Sequence, residues 1–158
     1  MNLNTAPRGK YFEDFQVGDE LVTPARTITS TDIVNFACLS GDFNEVHVNH
    51  EYCKTTPFGR RIAHGALTLS YATGLLARSG WFDETALAFL SIERWAFKGP
   101  VFIGDTIRLT ATTVDARVSK SKGDRGPWTG QLVVSNQRDE VVQEGLFTIM
   151  MRARGTAA

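Results

Sequence analysis

Ser40-Gly41-Asp42-Phe43-Asn44-Glu45-Val46-His47 sets a carboxylate, a carboxamide and an imidazole at i, i+2 and i+5. If Asp42 and His47 converge on one water, they can take a proton from it and deliver a proton nearby. That is what hydrating or dehydrating a double bond by general acid-base chemistry requires. An ordinary polar turn would use the same residue types, because Asp and Asn bond their own backbone in turns. All three histidines, His47, His50 and His64, fall in one short window with Asp42 and Asn44, and the clustering favours a site. A zinc site from Asp42, His47 and His50 is the first alternative. The spacing is not a helical His-x-x-x-His pair and no Cys ligand pattern accompanies it, so no metal is expected.

A second segment, Phe58-Gly59-Arg60-Arg61-Ile62-Ala63-His64-Gly65, leads straight into an apolar stretch. A helix starting there presents free backbone N–H groups and a partial positive charge. Gly65 lets a ligand approach the backbone with no Cβ in the way, which suits a developing enolate oxygen. Tight entry of a packed helix would use glycine equally well. His64 reads as a packed or hydrogen-bonded residue rather than a catalyst.

The elements that must position these groups follow from pattern. Thr29 or Ser30 caps a helix over roughly Thr31 to Leu39, with Ile33, Phe36 and Ala37 on its apolar face. Gly41 is the left-handed residue that ends it. Glu51 to Thr55 forms a further short turn. Ala66 to Ala77 is apolar or small nearly all round and uncharged until Arg78, so it reads as a helix buried on most sides. Phe89–Phe97, Thr106–Val118, Gly130–Gln137 and Val142–Arg152 read as strands. Ile107, Leu109, Ala111 and Thr113 alternate with polar neighbours, as a sheet with one buried face requires. Asn136 to Glu140 reads as a hairpin turn and Ser119 to Pro127 as a longer basic one. Gly18-Asp19 and Gly104-Asp105 each read as a turn leading into a strand. The architecture is α+β, a long antiparallel sheet curled around a buried central helix.

The 158 residues suit one domain spanning 11–152, with a loose arm at 1–10 and a tail at 153–158. At 42% apolar and 22% charged the composition supports a real core, and the formal net charge of +0 favours neither nucleic acid nor an anionic membrane surface. No apolar run could span a bilayer, and Met1 to Lys10 has no secretory h-region. Cys38 and Cys53 lack CxxC spacing and read as reduced thiols of a cytoplasmic protein.

Together, Ser40-Gly41-Asp42-Phe43-Asn44-Glu45-Val46-His47 and Ile62-Ala63-His64-Gly65 resemble the paired motifs of the MaoC-like dehydratases, or (R)-specific enoyl-CoA hydratases, of the hot-dog fold. That family's pattern is Ser-Gly-Asp-x-Asn-Pro-x-His, then Ile-Ala-His-Gly at the start of the central helix. The resemblance covers roughly Tyr11 to Arg152 and agrees with the predicted order of elements. It implies reversible addition of water to a 2-enoyl-CoA. Asp42 and His47 would be the catalytic dyad, Asn44 their support, and the Gly65 N–H the donor to the thioester oxygen. Ser70 matches a position that in some members bonds near the dyad, although a buried hydroxyl bonding its own helix fits as well. Arg60 and Arg61, with Lys120, Lys122 and Arg125, are candidates for CoA phosphates, the last three reading better as solvated surface. Trp81, Phe82 and Trp95 could shape an acyl pocket or belong to the core. No cofactor is implied beyond the CoA of the substrate.

Two positions depart from the family pattern: Glu45 stands for its proline, and Asn49 for an Asp often found two residues after the histidine. Both bear on substrate range more than on activity. A hot-dog thioesterase is the main competitor, but Ala66 to Ala77 lacks the carboxylate that many of that class carry on the central helix. A non-catalytic acyl-CoA-binding domain is the third reading, against which the intact Asp42/His47 pair argues. At least a homodimer is expected, because one curled sheet leaves an edge open.

Overall fold

Gly18 and Gly104 take φ of +94° and +92°, conformations that glycine adopts without a Cβ penalty. Each turn hands the chain to a strand: β1 (Glu20–Val22) and β4 (Thr106–Ala116). The computed structural model describes residues 8–117 and 123–155. The other strands are β2 (Arg26–Thr27), β3 (Ala86–Phe97), β5 (Arg125–Ser135) and β6 (Val141–Arg152). They form one antiparallel sheet in the order β1-β4-β5-β6-β3, with β2 also on β4. The expected hairpin turn lies at 136–140, where Asp139 takes a positive φ and Asn136 Oδ1 accepts from the N–H groups of Arg138 and Glu140. The basic loop is partly resolved into strand, since β5 begins at Arg125; Lys120 and Lys122 lie outside the described residues.

Strand β4 buries Ile107, Leu109, Ala111 and Thr113 while Arg108, Thr110 and Thr112 stay half-exposed. The period-2 pattern therefore selects one face for the core. At the sheet's centre Phe15, Phe82 and Trp128 form a ring cluster with centroids 4.9–5.9 Å apart. Trp128 is fully buried and donates its indole N–H to Thr113 Oγ1 at 2.9 Å, so its polar atom is satisfied inside the core.

Helix α1 spans Ser30–Ser40 and α4 spans Gly65–Ala77, with the short helices α2 (Glu45–Val48) and α3 (His50–Lys54) between them. Helix α4 lies in the curl of the sheet, but burial on most sides is not what it shows. Leu67, Thr68, Ala72, Leu75 and Leu76 are buried, whereas Ala66, Ser70, Thr73, Gly74 and Ala77 form an exposed face. The sheet wraps only one side of the helix, and small residues occupy the other.

The ordered body extends past both expected boundaries. Gly9 and Lys10 donate backbone N–H groups to Asp83 O and Trp81 O at 2.9 and 2.8 Å. Arg154 donates its N–H to Glu13 and pairs its guanidinium with Asp14. Among the described residues no helix is long and apolar enough to cross a membrane.

Candidate active site

The dyad-bearing segment is a chain of caps. Thr29 and Asp32 close a capping box at the start of α1, and Gly41, at φ +77°, ends that helix. Ser40 Oγ accepts from the Asp42 N–H and Asp42 Oδ1 accepts from the Asn44 N–H, both at 3.2 Å. Asn44 Oδ1 then caps α2 through the Val46 N–H at 3.3 Å. Asn49 caps α3 through the N–H groups of Glu51 and Tyr52. Glu45 stands at the first position of α2, where proline is also favoured and where a carboxylate suits the helix dipole. Both departures from the family pattern therefore keep the local geometry, since Asn caps a helix as Asp does. Beneath them the buried Cys53 thiol donates to the carbonyls of Glu45 and Val46.

His47 is nearly buried and Asp42 is half-exposed. Nε2 of His47 lies 3.9 Å from Asp42 Oδ2. That is too long for a direct hydrogen bond, but a water about 2.8 Å from each atom would subtend roughly 90°. Nδ1 of His47 lies 2.9 Å from the Ile62 carbonyl. A carbonyl only accepts, so Nδ1 carries the proton and the Nε2 lone pair is left for the space shared with Asp42. Burial pushes the His47 pKa below its ordinary 6.5; the Ile62 hydrogen bond opposes this, the neighbouring His64 adds to it, and the Asp42 charge opposes it again. The neutral, proton-accepting form is thereby favoured at neutral pH.

His64 is buried at 2% exposure and is the residue before α4. Its ring stacks on His47 with centroids 3.8 Å apart and planes at 29°. Its Nε2 lies 2.9 Å from the Asp42 main-chain carbonyl, so Nε2 is the protonated nitrogen and Nδ1 is a buried atom with no hydrogen-bond partner among the described residues. The expectation that His64 is a packed, hydrogen-bonded residue holds, but what it packs on is the dyad.

Ligand atoms of Asp42, His47 and His64 lie within 4.8 Å of one another. One nitrogen of each stacked imidazole is already committed to a carbonyl, which leaves His47 Nε2 and His64 Nδ1 as the remaining ring ligand atoms. His50 takes no part in the cluster, standing exposed at the start of α3.

Gly65 follows His64 directly and occupies the first position of α4, where its N–H has no intrahelical acceptor. It borders a cavity of about 540 Å³ with Ile62, Ala66, Thr68, Phe97, Lys98 and Gln143. A Cβ at Gly65 would sit 2.6 Å from Phe97 Cε1, so any other residue there would have to displace that ring. The Gly65 carbonyl accepts from Gln143 Nε2 at 2.9 Å, and Gln143 Oε1 accepts from the Trp95 indole at 3.1 Å. Sequence reasoning missed Gln143, although it shares the inward parity of Phe147, Ile149 and Met151 on β6, where an amide is out of place unless bonded. Phe97 and Lys98 had no local signal at all.

The remaining predicted positions disperse. Ser70 donates to Ala66 O at 2.8 Å on the exposed face of α4, bonding its own helix. Arg60 is exposed and stacks over Phe102 at 4.0 Å. Arg61 is buried and donates to Ser30 Oγ at 2.7 Å. Arg125 is engaged with Asp124 through two hydrogen bonds. Phe82 borders a second, apolar cavity of about 280 Å³ with Thr73, Leu76, Leu87, Phe89 and Ile149. Trp81 and Trp95 pack against the core.

Residues 14–127 match the family model described as a MaoC like domain. The sequence is 37% identical over 145 residues to an (R)-specific enoyl-CoA hydratase of Rhodospirillum rubrum, covering 92% of this chain and 94% of that protein. It is 40% identical over 129 residues to Protein MaoC of Klebsiella aerogenes, covering 79% of this chain but only 38% of that one. Among solved structures, a monoamine oxidase regulatory protein from Archaeoglobus superposes with a TM-score of 0.84 at 37% identity, over 91% of this chain and 95% of that one. The (R)-hydratase of A. caviae superposes with a TM-score of 0.73 at 25% identity, over 87% and 97%.

Proposed function

The chain belongs to the MaoC-like family of (R)-specific enoyl-CoA hydratases and 3-hydroxyacyl dehydratases, and on that footing we propose that it adds water reversibly to a 2-enoyl-CoA, giving a (3R)-3-hydroxyacyl-CoA. The observation that carries this reading is the 3.9 Å separation of His47 Nε2 and Asp42 Oδ2, with the His47 lone pair facing the gap. A water held there loses a proton to His47 as its oxygen bonds C3. The double-bond electrons move toward C2 and the thioester carbonyl, placing negative charge on the thioester oxygen. The Gly65 N–H at the start of α4 meets that oxygen, and one such donor is worth about 3–4 kcal/mol where it has been removed elsewhere. The imidazolium then returns its proton to C2, so the dyad ends as it began. The Asp42 carboxylate steadies the transient imidazolium and accepts a hydrogen bond from the O–H that the new C3 hydroxyl keeps.

Asn44 supports the dyad through its N–H to Asp42 and its cap on α2. Arg60 supplies positive charge for the CoA phosphates from the surface, and Arg61, buried against Ser30, is left out of that role. We assign Ser70 and the second cavity to the acyl path along the open face of α4. That face and the edge strand β3, with Leu87, Phe89, Leu90 and Ile92 exposed, are covered by a second copy in a cytoplasmic homodimer. No cofactor takes part, CoA being part of the substrate.

The test follows loss of enoyl-thioester absorbance across a panel of enoyl-CoAs, with Asp42→Asn and His47→Ala as controls. Turnover by the wild type and its collapse in both variants is expected. Hydration of none of the panel, or full rates in both variants, overturns the assignment. Release of free CoA instead identifies a thioesterase.

A further inference from the structure

We propose that His64 is a positioning residue for the dyad: its Nε2–H fixes the Asp42 main chain while its ring backs the imidazole of His47. The inference deepens the hydratase reading and rests on it for the choice of reaction.

The geometry is specific to an imidazole. One edge of His64 donates to the Asp42 carbonyl at 2.9 Å, and one face lies 3.8 Å from the His47 ring centroid. Phe36 of α1 also packs on the His64 ring, with centroids 5.1 Å apart and planes at 52°. No aliphatic residue could make the donation, and no amide could supply the same ring face. The commitment leaves Nδ1 buried and without a hydrogen-bond partner among the described residues, which costs free energy that packing alone would not select. A core position needing only bulk would be filled more cheaply by an apolar ring. The segment 62–65 thus touches every part of the machinery: Ile62 O holds His47 by Nδ1, His64 holds Asp42 by its carbonyl, and Gly65 opens α4.

His64 also adds to the lowering of its neighbour's pKa, after burial, which lowers it most, and the Ile62 hydrogen bond, which opposes it. A second imidazole stacked on His47 makes protonation of His47 harder, whereas the Asp42 carboxylate makes it easier. Both groups therefore face His47, with the Ile62 carbonyl as the fixed acceptor on its far edge.

Two variants separate the functions. His64→Ala removes donor and ring; His64→Gln keeps an amide donor for Asp42 O but removes the ring. In His64→Ala, kcat for hydration should fall by about tenfold or more with KM changed by less than about threefold. His64→Gln should recover only the part of kcat that the Asp42 contact carries, not the part that the ring carries. In both, the midpoint of His47 titration, read from histidine ¹⁵N shifts in a chain with only three histidines, should rise toward 6.5. Wild-type kcat in a folded His64→Ala, or an unmoved His47 midpoint in either variant, overturns the proposal. If His64→Ala does not fold, His64→Gln decides alone: a raised midpoint with kcat below wild type and KM within about threefold supports the proposal, and any other result overturns it. The ¹⁵N readout needs no substrate, so a wild type that hydrates nothing would sink the hydratase reading while the positioning of His47 by His64 is still tested.

Discussion

The carbonyl of Ile62 stands 2.9 Å from Nδ1 of His47, and the N–H of the same Ile62 donates to Val46 O at 3.1 Å. One residue of the second motif thus grips the helix that carries the first, by backbone and by side chain. The consequence is chemical: the proton of His47 is held at Nδ1, and its basic nitrogen is turned to Asp42.

That assignment sets a pH dependence. His47 must be neutral to accept a proton, and its pKa lies below the ordinary 6.5. The acid limb of kcat/KM should therefore fall below 6.5, and Asp42→Asn, by removing the opposing charge, should move it lower still in whatever activity survives. The unfolded chain binds the proton more readily than the folded one between that lowered value and 6.5, so this group also costs stability as pH falls through that window. A pH–rate profile of the free enzyme checks the first expectation, and an acid limb above 6.5 contradicts it.

Gly65→Ala keeps the backbone N–H but should cut kcat/KM by up to about 100-fold by misplacing the thioester. The added Cβ would sit 2.6 Å from Phe97 Cε1, so that ring must shift within the cavity that Gly65 borders. Adding Phe97→Ala should restore part of the loss, because the obstruction is a side chain. Steady-state kinetics of the single and double variants, with thermal melts to confirm folding, decide the matter.

Glu45→Pro should be tolerated, with hydration rates within about threefold of wild type and slightly higher stability. Asn44 already has φ −55° and ψ 136°, the extended conformation that precedes proline without strain. A large loss of rate would show that the Glu45 carboxylate itself matters to the substrate.

Acid stability should depend on Asp32. Burial raises its pKa, but hydrogen bonds from Tyr71, Thr29 and Arg26 outweigh that and bring it down to about 2. A lowered carboxylate pKa gives stability that is complete above 3.8 and is lost as pH falls toward about 2. Tyr71→Phe removes the 2.7 Å bond that ties α4 to α1 and should cost about 1–2 kcal/mol near neutral pH. Urea unfolding of both proteins from neutral pH down to about 2 should show the gap narrowing with acid.

A glutamate at Leu90, exposed on edge strand β3, should shift the protein toward monomer in analytical ultracentrifugation and lower activity with it. An unchanged sedimentation coefficient would place the subunit contact elsewhere.

Much of this was written locally. Thr29 and Gly41 act within a few residues of themselves, so the ends of α1 could be read by spacing alone, whereas the short helix α2 and the caps at Asn44 and Asn49 were not read. The alternation in β4 and the two Gly-Asp turns are local for the same reason. Asp42, His47 and Gly65 drew notice because their types and spacing stand out in the chain. The open face of α4 was not legible, because apolar and small residues look alike whether a sheet or a second subunit covers them. Three facts belong to tertiary structure alone: His47 bonding to Ile62, His64 bonding to Asp42, and Phe97 pressing on Gly65. Each joins residues 15 or more positions apart, and no local pattern encodes which carbonyl a ring will find. The sequence by itself determined which groups can exchange protons; the fold decided which nitrogen carries one and which is left to act, because that depends on acceptors brought from elsewhere in the chain.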